Sequence, residues 1–320
     1  MRTSKMSAAV YHRYGSPDVL NIETVEIPTP GPGEILVKVS HTTVSSGDWR
    51  MLLAKPFAVR FVSGLFSPKH PVLGNEFAGE VVKAGAGVTH FKMGDKVFGA
   101  AGNGAHAEYL TIKEDGLVTH LPSNTSLEEA AATPNGGMTA MHFLNEAGIR
   151  AGQNVLIYGA SGSVGSHAVQ LAKYYGANVT AVCSTNKVAA VKKLGADQVI
   201  DYKKEDFTKN GHAYDIIFDA AGKFQYSKAK SSLSPNGCFA SVELGAAPIW
   251  NLFAKKQAKG KRVLIGIAPQ KRESLIYLSD LLSAGKLKPL IGRSYPLHKI
   301  RDAYRHAQTH SKLGNLIIEL

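Results

Sequence analysis

The chain has 320 residues, enough for two cores, and its 44% hydrophobic and 19% charged residues are those of a globular protein, not of a disordered or fibrous one. No run approaches the roughly 20 apolar residues of a membrane span, and MRTSKMSAAVYHRYG at the start lacks an apolar core of signal-peptide length, so a cytoplasmic protein is expected. The net charge of +12 crowds Lys and Arg into 187–209, 223–230 and 255–272 without the interleaved aromatics of a base-stacking platform; solvated helix faces and loops are expected there, and nucleic acid is not an expected partner.

From residue 1 to about 125 the chain reads as short strands cut by glycine and proline. Ile35 to Val39 alternates as a half-buried strand, Pro28 to Pro32 makes a rigid turn, and Glu80 to Lys83 precedes the turn-rich AGAGV. A Gly94-Asp95 turn then leads into the strand Lys96 to Ala100. Spaced strands with turn signals predict a small, mainly antiparallel barrel. Between them, Trp49 to His70 is rich in Phe, Leu and Pro, and reads either as an apolar substrate wall or as barrel packing.

The period changes near residue 126. Ser126-Leu127-Glu128-Glu129 has the N-cap serine and acidic first turn of a helix. Beyond it, strands at 155–158, 178–183, 198–201, 216–219, 238–242 and 263–267 alternate with helical segments at 163–175 and 186–194. That alternation predicts a doubly wound parallel sheet. A helix at 272–284 and a strand at 315–320 follow, and a last strand returning to the first domain would account for the renewed β character. The expected domains are 1–125, completed by 269–320, and 126–268. Cys183 and Cys238 read as small core residues in a reducing compartment, and two cysteines are too few for a four-thiolate zinc site.

Val155 to Gly165 reads VLIYGASGSVG, a buried strand running through Gly159, Ser161, Gly162, Ser163, Val164 and Gly165 into a helix. Glycines at this spacing allow a tight turn and let a pyrophosphate reach the backbone N–H groups of the helix N-terminus. With the strand Asn178 to Cys183 behind it, the segment forms a βαβ unit for binding a dinucleotide.

Several motifs occur in one order: Gly33 to Val39, Ser45-Ser46-Gly47-Asp48-Trp49, Leu73 to Val81, Gly94 to Val97, Gly137 to Ala140, the glycine turn, Leu194 to Asp197 and Ile200 to Tyr202. Together they resemble the medium-chain dehydrogenase/reductase superfamily across essentially the whole chain. The nearest likeness is to its zinc-free branch of NADPH-dependent quinone oxidoreductases and enone reductases. The resemblance implies an α/β protein with a Rossmann-type doubly wound sheet and a GroES-like domain. It also implies an active site between the two domains and a homodimer formed through sheet edges.

Zinc-dependent relatives carry a cysteine at the position of Ser45-Ser46 and a His-Glu pair at the position of Asn75-Glu76. Hydroxyl and amide are poor zinc ligands, and His41, His70, His90 and His106 show no tight ligand spacing, so no metal is expected. NAD-selective sites usually place an acid at the end of the second sheet strand. Here the run is Cys183-Ser184-Thr185-Asn186-Lys187, whose hydroxyls and ammonium suit a 2′-phosphate, so NADPH is the expected cofactor. Ser184-Thr185 is also a helix N-cap sequence, and both functions are compatible.

By resemblance, Lys187 and Tyr202 hold that phosphate, Thr139 and Ile267 lie near the nicotinamide, and Ala220 and Ala221 pass the adenosine ribose. Asn315 stands where relatives often carry a lysine near the cofactor. Without a metal, conjugated acceptors such as quinones and α,β-unsaturated carbonyls are the expected substrates, because they take hydride directly. Ser46, Asp48 and Asn75, with Ser45, are the candidate polar groups beside the substrate; Asp48 is also placed to cap the following helix. The alternatives are an alcohol dehydrogenase with a non-standard zinc site, or an NADPH-binding protein with a basic face and little catalysis.

Overall fold

The computed structural model describes residues 4–242, 253–258, 260–309 and 311–320. The chain divides into two compact units, one of residues 1–134, 271–283 and 291–320, the other of residues 135–270 and 284–290.

The first unit begins with β1 (Lys5–Val10) and β2 (Asn21–Glu26), an antiparallel pair. Then come β3 (Glu34–Thr43), α1 (Ser46–Leu53), α2 (Val59–Ser63), β4 (Glu76–Ala84), β5 (Lys96–Ala100), β6 (Tyr109–Lys113), β7 (Val118–His120) and α3 (Leu127–Ala131). The long strand β3 pairs antiparallel with both β4 and β6, and β4 with β5. Alternation along β3 puts Ile35, Val37 and Val39 into a core with Phe77, Val81, Val97, Leu110 and Val118. The period change at residue 126 is the start of α3, which packs on β3, β4 and β5; this unit runs on to Pro134.

The second unit holds α4 (Pro134–Ala147), β8 (Asn154–Tyr158), α5 (Ser163–Tyr174), β9 (Asn178–Cys183), α6 (Val188–Lys192), β10 (Gln198–Asp201), β11 (Tyr214–Asp219), α7 (Tyr226–Ala229), β12 (Leu233–Ser241), β13 (Phe253–Ala258) and β14 (Lys261–Gly266). Its sheet has the strand order β10-β9-β8-β11-β12-β14-β13. The order reverses at β8 and β11, which pair in parallel, and ligands of such sheets bind at the carboxyl ends beside that reversal. Every pairing is parallel except the last, where β13 runs antiparallel to β14. The alternation of helix and strand did not predict that edge, because β13 reaches β14 by a hairpin with no crossover helix. The helix expected over 186–194 is also divided: a 3-10 turn spans Thr185–Lys187 and α6 follows it.

The last elements are α8 (Arg272–Ser283), β15 (Ile291–Pro296), α9 (Ile300–Gln308) and β16 (Asn315–Glu319). β16 inserts into the first unit's sheet, parallel to β15 and antiparallel to β3. Leu316 and Ile318 from this strand join Tyr11, Leu20, Val44, Leu52, Ile300 and Tyr304 in a second core of the first unit. The chain's last strand thus joins the sheet that β3 begins. No helix among the described residues is long and apolar enough to cross a membrane.

Candidate functional site

The turn after β8 is built by three glycines with different tasks. Gly159 has a φ of +78°, which an L side chain rarely adopts, and a Cβ there would come within 2.8 Å of the Ala221 Cβ. Gly165, in the first turn of α5, leaves no room for a side chain: its Cβ would lie 2.2 Å from the Gly159 carbonyl oxygen. Gly162 is the N-cap, and a Cβ there would meet only the Gly159 carbonyl oxygen, at an ordinary contact distance of 3.5 Å. The first helical bond is Ser166 N–H to the Gly162 carbonyl at 2.9 Å, and no side chain caps the helix. The N–H groups of Ser163, Val164 and Gly165 therefore lie ahead of the helical ladder, at its positive end, without a capping side chain. Ser161 is buried beside them.

His167 fixes this turn from below. Its Nδ1–H donates to the Ser163 carbonyl at 2.8 Å, while its buried Nε2 has no hydrogen-bond partner. Burial holds the imidazole down to about 4, so the ring is neutral. Gly136 of α4 packs against Ser163 and His167, where a Cβ would fall 2.4 Å from the Ser163 Oγ. Thr139, three residues on, shares that helix face.

On the other side of the turn, the Ala220 N–H donates to the Tyr158 carbonyl at 3.0 Å. Asp219, fully buried at the end of β11, accepts from the Ala221 N–H at 3.1 Å, the Phe224 N–H at 2.7 Å and the Ser241 hydroxyl at 3.2 Å. Burial pushes its carboxyl up and these donors oppose the shift. Asp219 thereby holds Ala220-Ala221-Gly222 against the glycine turn. Sequence reading missed it, although an acid ending a strand before a small-residue turn is a visible signal.

The end of β9 gathers the expected hydroxyls and ammonium. Ser184 and Lys187 are buried, and the Ser184 Oγ bonds the Asn186 Oδ1 at 2.9 Å. Ser184 makes no side-chain bond to a backbone N–H of the 3-10 turn; its hydroxyl donates to the Asn186 side chain instead. Burial lowers the Lys187 ammonium below its ordinary range. Tyr202 is half exposed, its N–H bonded to the Cys183 carbonyl at 3.1 Å and its ring 6.4 Å from that of Tyr158. The parallel register adds a group that reading along residues 183–187 did not supply. Asp201 pairs with Cys183 across the strands, and the Thr185 hydroxyl beside it, then Lys203 and Lys204, hold its carboxyl low. Ile267 follows β14 and is half exposed. Asn315 belongs to the first unit, buried at the start of β16 opposite Ile291.

In the first unit, Asp48 closes a capping box on α1. Its Oδ2 accepts from the Ser45 N–H at 2.7 Å and the Ser45 hydroxyl at 2.6 Å, and the Asp48 N–H returns to the Ser45 Oγ at 3.3 Å. Ser46, the first residue of α1, is exposed. The Asn75 Oδ1 accepts the Gly102 N–H at 2.7 Å, and its carbonyl accepts the Ala101 N–H at the same distance. Nearby, the Thr43 hydroxyl donates to the buried Glu76 carboxylate. The fully buried His106 donates from Nε2 to the Thr43 carbonyl at 3.1 Å, which leaves Nδ1 to accept the Tyr304 hydroxyl at 3.3 Å. Burial drives the His106 imidazole down and the Tyr304 phenol up, and the Asp48 charge raises both. Among the described residues, no three His, Cys, Asp or Glu side chains cluster closely enough to hold a metal ion.

Comparison with known proteins agrees with this architecture. Residues 31–123 match the alcohol dehydrogenase GroES-like domain family and residues 194–318 the zinc-binding dehydrogenase family. A chloroplast envelope quinone oxidoreductase homolog of Arabidopsis thaliana is 34% identical, over 98% of each chain. An NADPH-dependent alkenal/one oxidoreductase of the same plant is 30% identical, over 98% of this chain and 79% of its own length. The solved quinone oxidoreductase of Coxiella burnetii superposes with a TM-score of 0.87 at 29% identity, covering 99% of this chain and all of that one.

Proposed function

The chain belongs to the medium-chain dehydrogenase/reductase superfamily, in its zinc-free quinone and enone reductase branch, and on that premise we propose that it is an NADPH-dependent reductase of quinones or α,β-unsaturated carbonyls. The observation that carries the reading is the uncapped N-terminus of α5 behind Gly162, with the buried Ser184 and Lys187 following β9, the strand paired with β8. A pyrophosphate fits there because Gly162 carries no side chain at the N-cap and the first-turn N–H groups supply the donors.

Bound NADPH supplies a hydride from its nicotinamide ring to an electron-poor carbon. The chain's part is to bind and orient. Ser161, Ser163, Val164 and Gly165 hold the pyrophosphate, and His167 and Asp219 fix the two turns that shape its cradle. Ser184, Thr185, Lys187 and Tyr202 receive the 2′-phosphate. Lys203 and Lys204 offset the Asp201 charge, which would otherwise repel that phosphate. Ala220 and Ala221 leave room for the ribose; Thr139, Ile267 and Asn315 serve the nicotinamide end. Of the three polar candidates in the first unit, Ser46 is the exposed one; Asp48 caps the helix that Ser46 begins, and Asn75 holds the backbone at Ala101 and Gly102.

Zinc has no part in this reading, because Ser46 and Asn75 offer a hydroxyl and an amide oxygen, and the latter already accepts a backbone N–H. The reading includes a homodimer, supported by the outer edge that β13 presents on the second unit's sheet. It also assigns the cytoplasm, where Cys183 and Cys238 would persist as the buried free thiols seen here. Turnover on a panel of quinones and enones tests the proposal, with NADH and a chelator as controls. NADPH oxidation that survives chelation supports it. Turnover lost to chelator and restored by zinc, or NADPH binding without turnover, contradicts it.

A further inference from the structure

Eleven large hydrophobic side chains are exposed among the described residues, and five of them fall within ten positions: Phe57 at 63%, Phe61 at 68%, Val62 at 70%, Leu65 at 45% and Phe66 at 87%. They surround α2, on the segment that sequence reading left between a substrate wall and barrel packing. Its first turn is barrel packing, with Leu52 buried in the core and Trp49 and Met51 packed against it, but Phe57 to Phe66 is not packed away. Its shape is nevertheless built: the Tyr14 hydroxyl donates to the Gly64 carbonyl at 2.7 Å, and the Lys69 N–H to the Ser63 carbonyl at 2.8 Å. The Arg60 guanidinium lies 4.7 Å from the Tyr14 ring and donates to the Leu65 carbonyl at 3.2 Å.

Charge is one-sided here. From Trp49 to Asn75 there is no Asp or Glu, and the stretch carries Arg50, Lys55, Arg60 and Lys69. Lys55 and Lys69 are exposed beside the aromatic side chains, and the acids that bracket the stretch, Asp48 and Glu76, are buried. Apolar and aromatic groups interleaved with cations, and free of acids, match the interface of an anionic bilayer, where rings enter the headgroup boundary and ammonium groups meet phosphate.

We propose that residues 55–69 dock the protein on an anionic lipid surface, with Phe61, Val62 and Phe66 entering the bilayer interface and Lys55 and Lys69 contacting lipid phosphates. The contact is peripheral and reversible, since so short a segment buries few side chains. A phenylalanine that enters the interface strengthens binding by about tenfold or more, and each cation near the surface by about fivefold.

The experiment sediments the full chain with vesicles of phosphatidylcholine mixed with phosphatidylglycerol, and with phosphatidylcholine alone. Binding to the mixed vesicles, weakened by salt, is expected. The Phe61→Ser/Phe66→Ser and Lys55→Glu/Lys69→Glu variants, altered only at exposed positions and checked for an unchanged Tm, should each bind at least tenfold more weakly. Absence of binding overturns the proposal, as does equal binding by the phenylalanine variant, which would make the attraction one of overall charge. Loss of a dimer in that variant with vesicle binding unchanged would assign the patch to a second copy of the chain. A raised KM for an apolar enone with vesicle binding unchanged would make it a substrate wall.

Discussion

Lys187 is an ammonium whose burial disfavours its charge, and a 2′-phosphate would repay that cost with a charge-assisted bond. Lys187→Ala should therefore raise the KM for NADPH by about tenfold or more while leaving that for NADH nearly unchanged; steady-state kinetics with both cofactors checks this. Asp201 acts in the opposite sense. Asp201→Asn removes a carboxylate beside Thr185 and should lower the KM for NADPH a few-fold, without improving NADH. The buried histidines give a pH signature. His167 is held down to about 4 from an ordinary 6.5, and His106 is lowered as well. His167 stays neutral in the fold down to about pH 4 and would be protonated on unfolding below pH 6.5, and the lowering of His106 acts in the same sense. Stability is thus complete above that pH and is lost as pH falls towards 4, by about 3 kcal/mol for His167 alone. Denaturation midpoints across this range should fall, and His167→Asn should flatten the slope. The glycine turn was legible because its geometry is local. Asp201 and Asp219 were not, because their parts depend on which strands lie side by side.

Capping and closure act at the scale of the element. The Ser45–Asp48 box starts α1, and the Ser126–Glu129 box starts α3. The second was readable as a serine followed by acids. In the first, sequence weighed catalysis and capping for Asp48 together, and only coordinates show both carboxylate bonds going to Ser45. Asp48→Ala should cost about 1 kcal/mol of stability, with kcat within a few-fold of wild type. Thermal melts and kinetics on the same sample decide it: an unchanged Tm with a collapsed kcat would make Asp48 a catalytic group. Strands β8 to β12 were legible from their apolar runs. β13 was not, since its sequence FAKKQA has neither an apolar run nor clean alternation.

Across the whole molecule, the first unit depends on contacts between the two ends of the chain. β16 supplies Leu316, Ile317 and Ile318, all fully buried, and lies between β15 and β3. Ile317→Ala should cost about 2–5 kcal/mol, read by chemical denaturation, and a chain ending before Asn315 should fail to fold its first unit. The returning strand was predicted from the β character of the last residues, but its place in the sheet is a long-range pairing that no local pattern encodes. Direct hydride transfer without a metal ligand set leaves its mark in isotope transfer. NADPH deuterated at the transferring position of nicotinamide C4 is mixed with an α,β-unsaturated ketone and the chelator-treated enzyme. One deuterium on the β-carbon of the saturated product is expected for each NADPH oxidised. Product without the label, or NADPH left unoxidised until zinc is added, would contradict it.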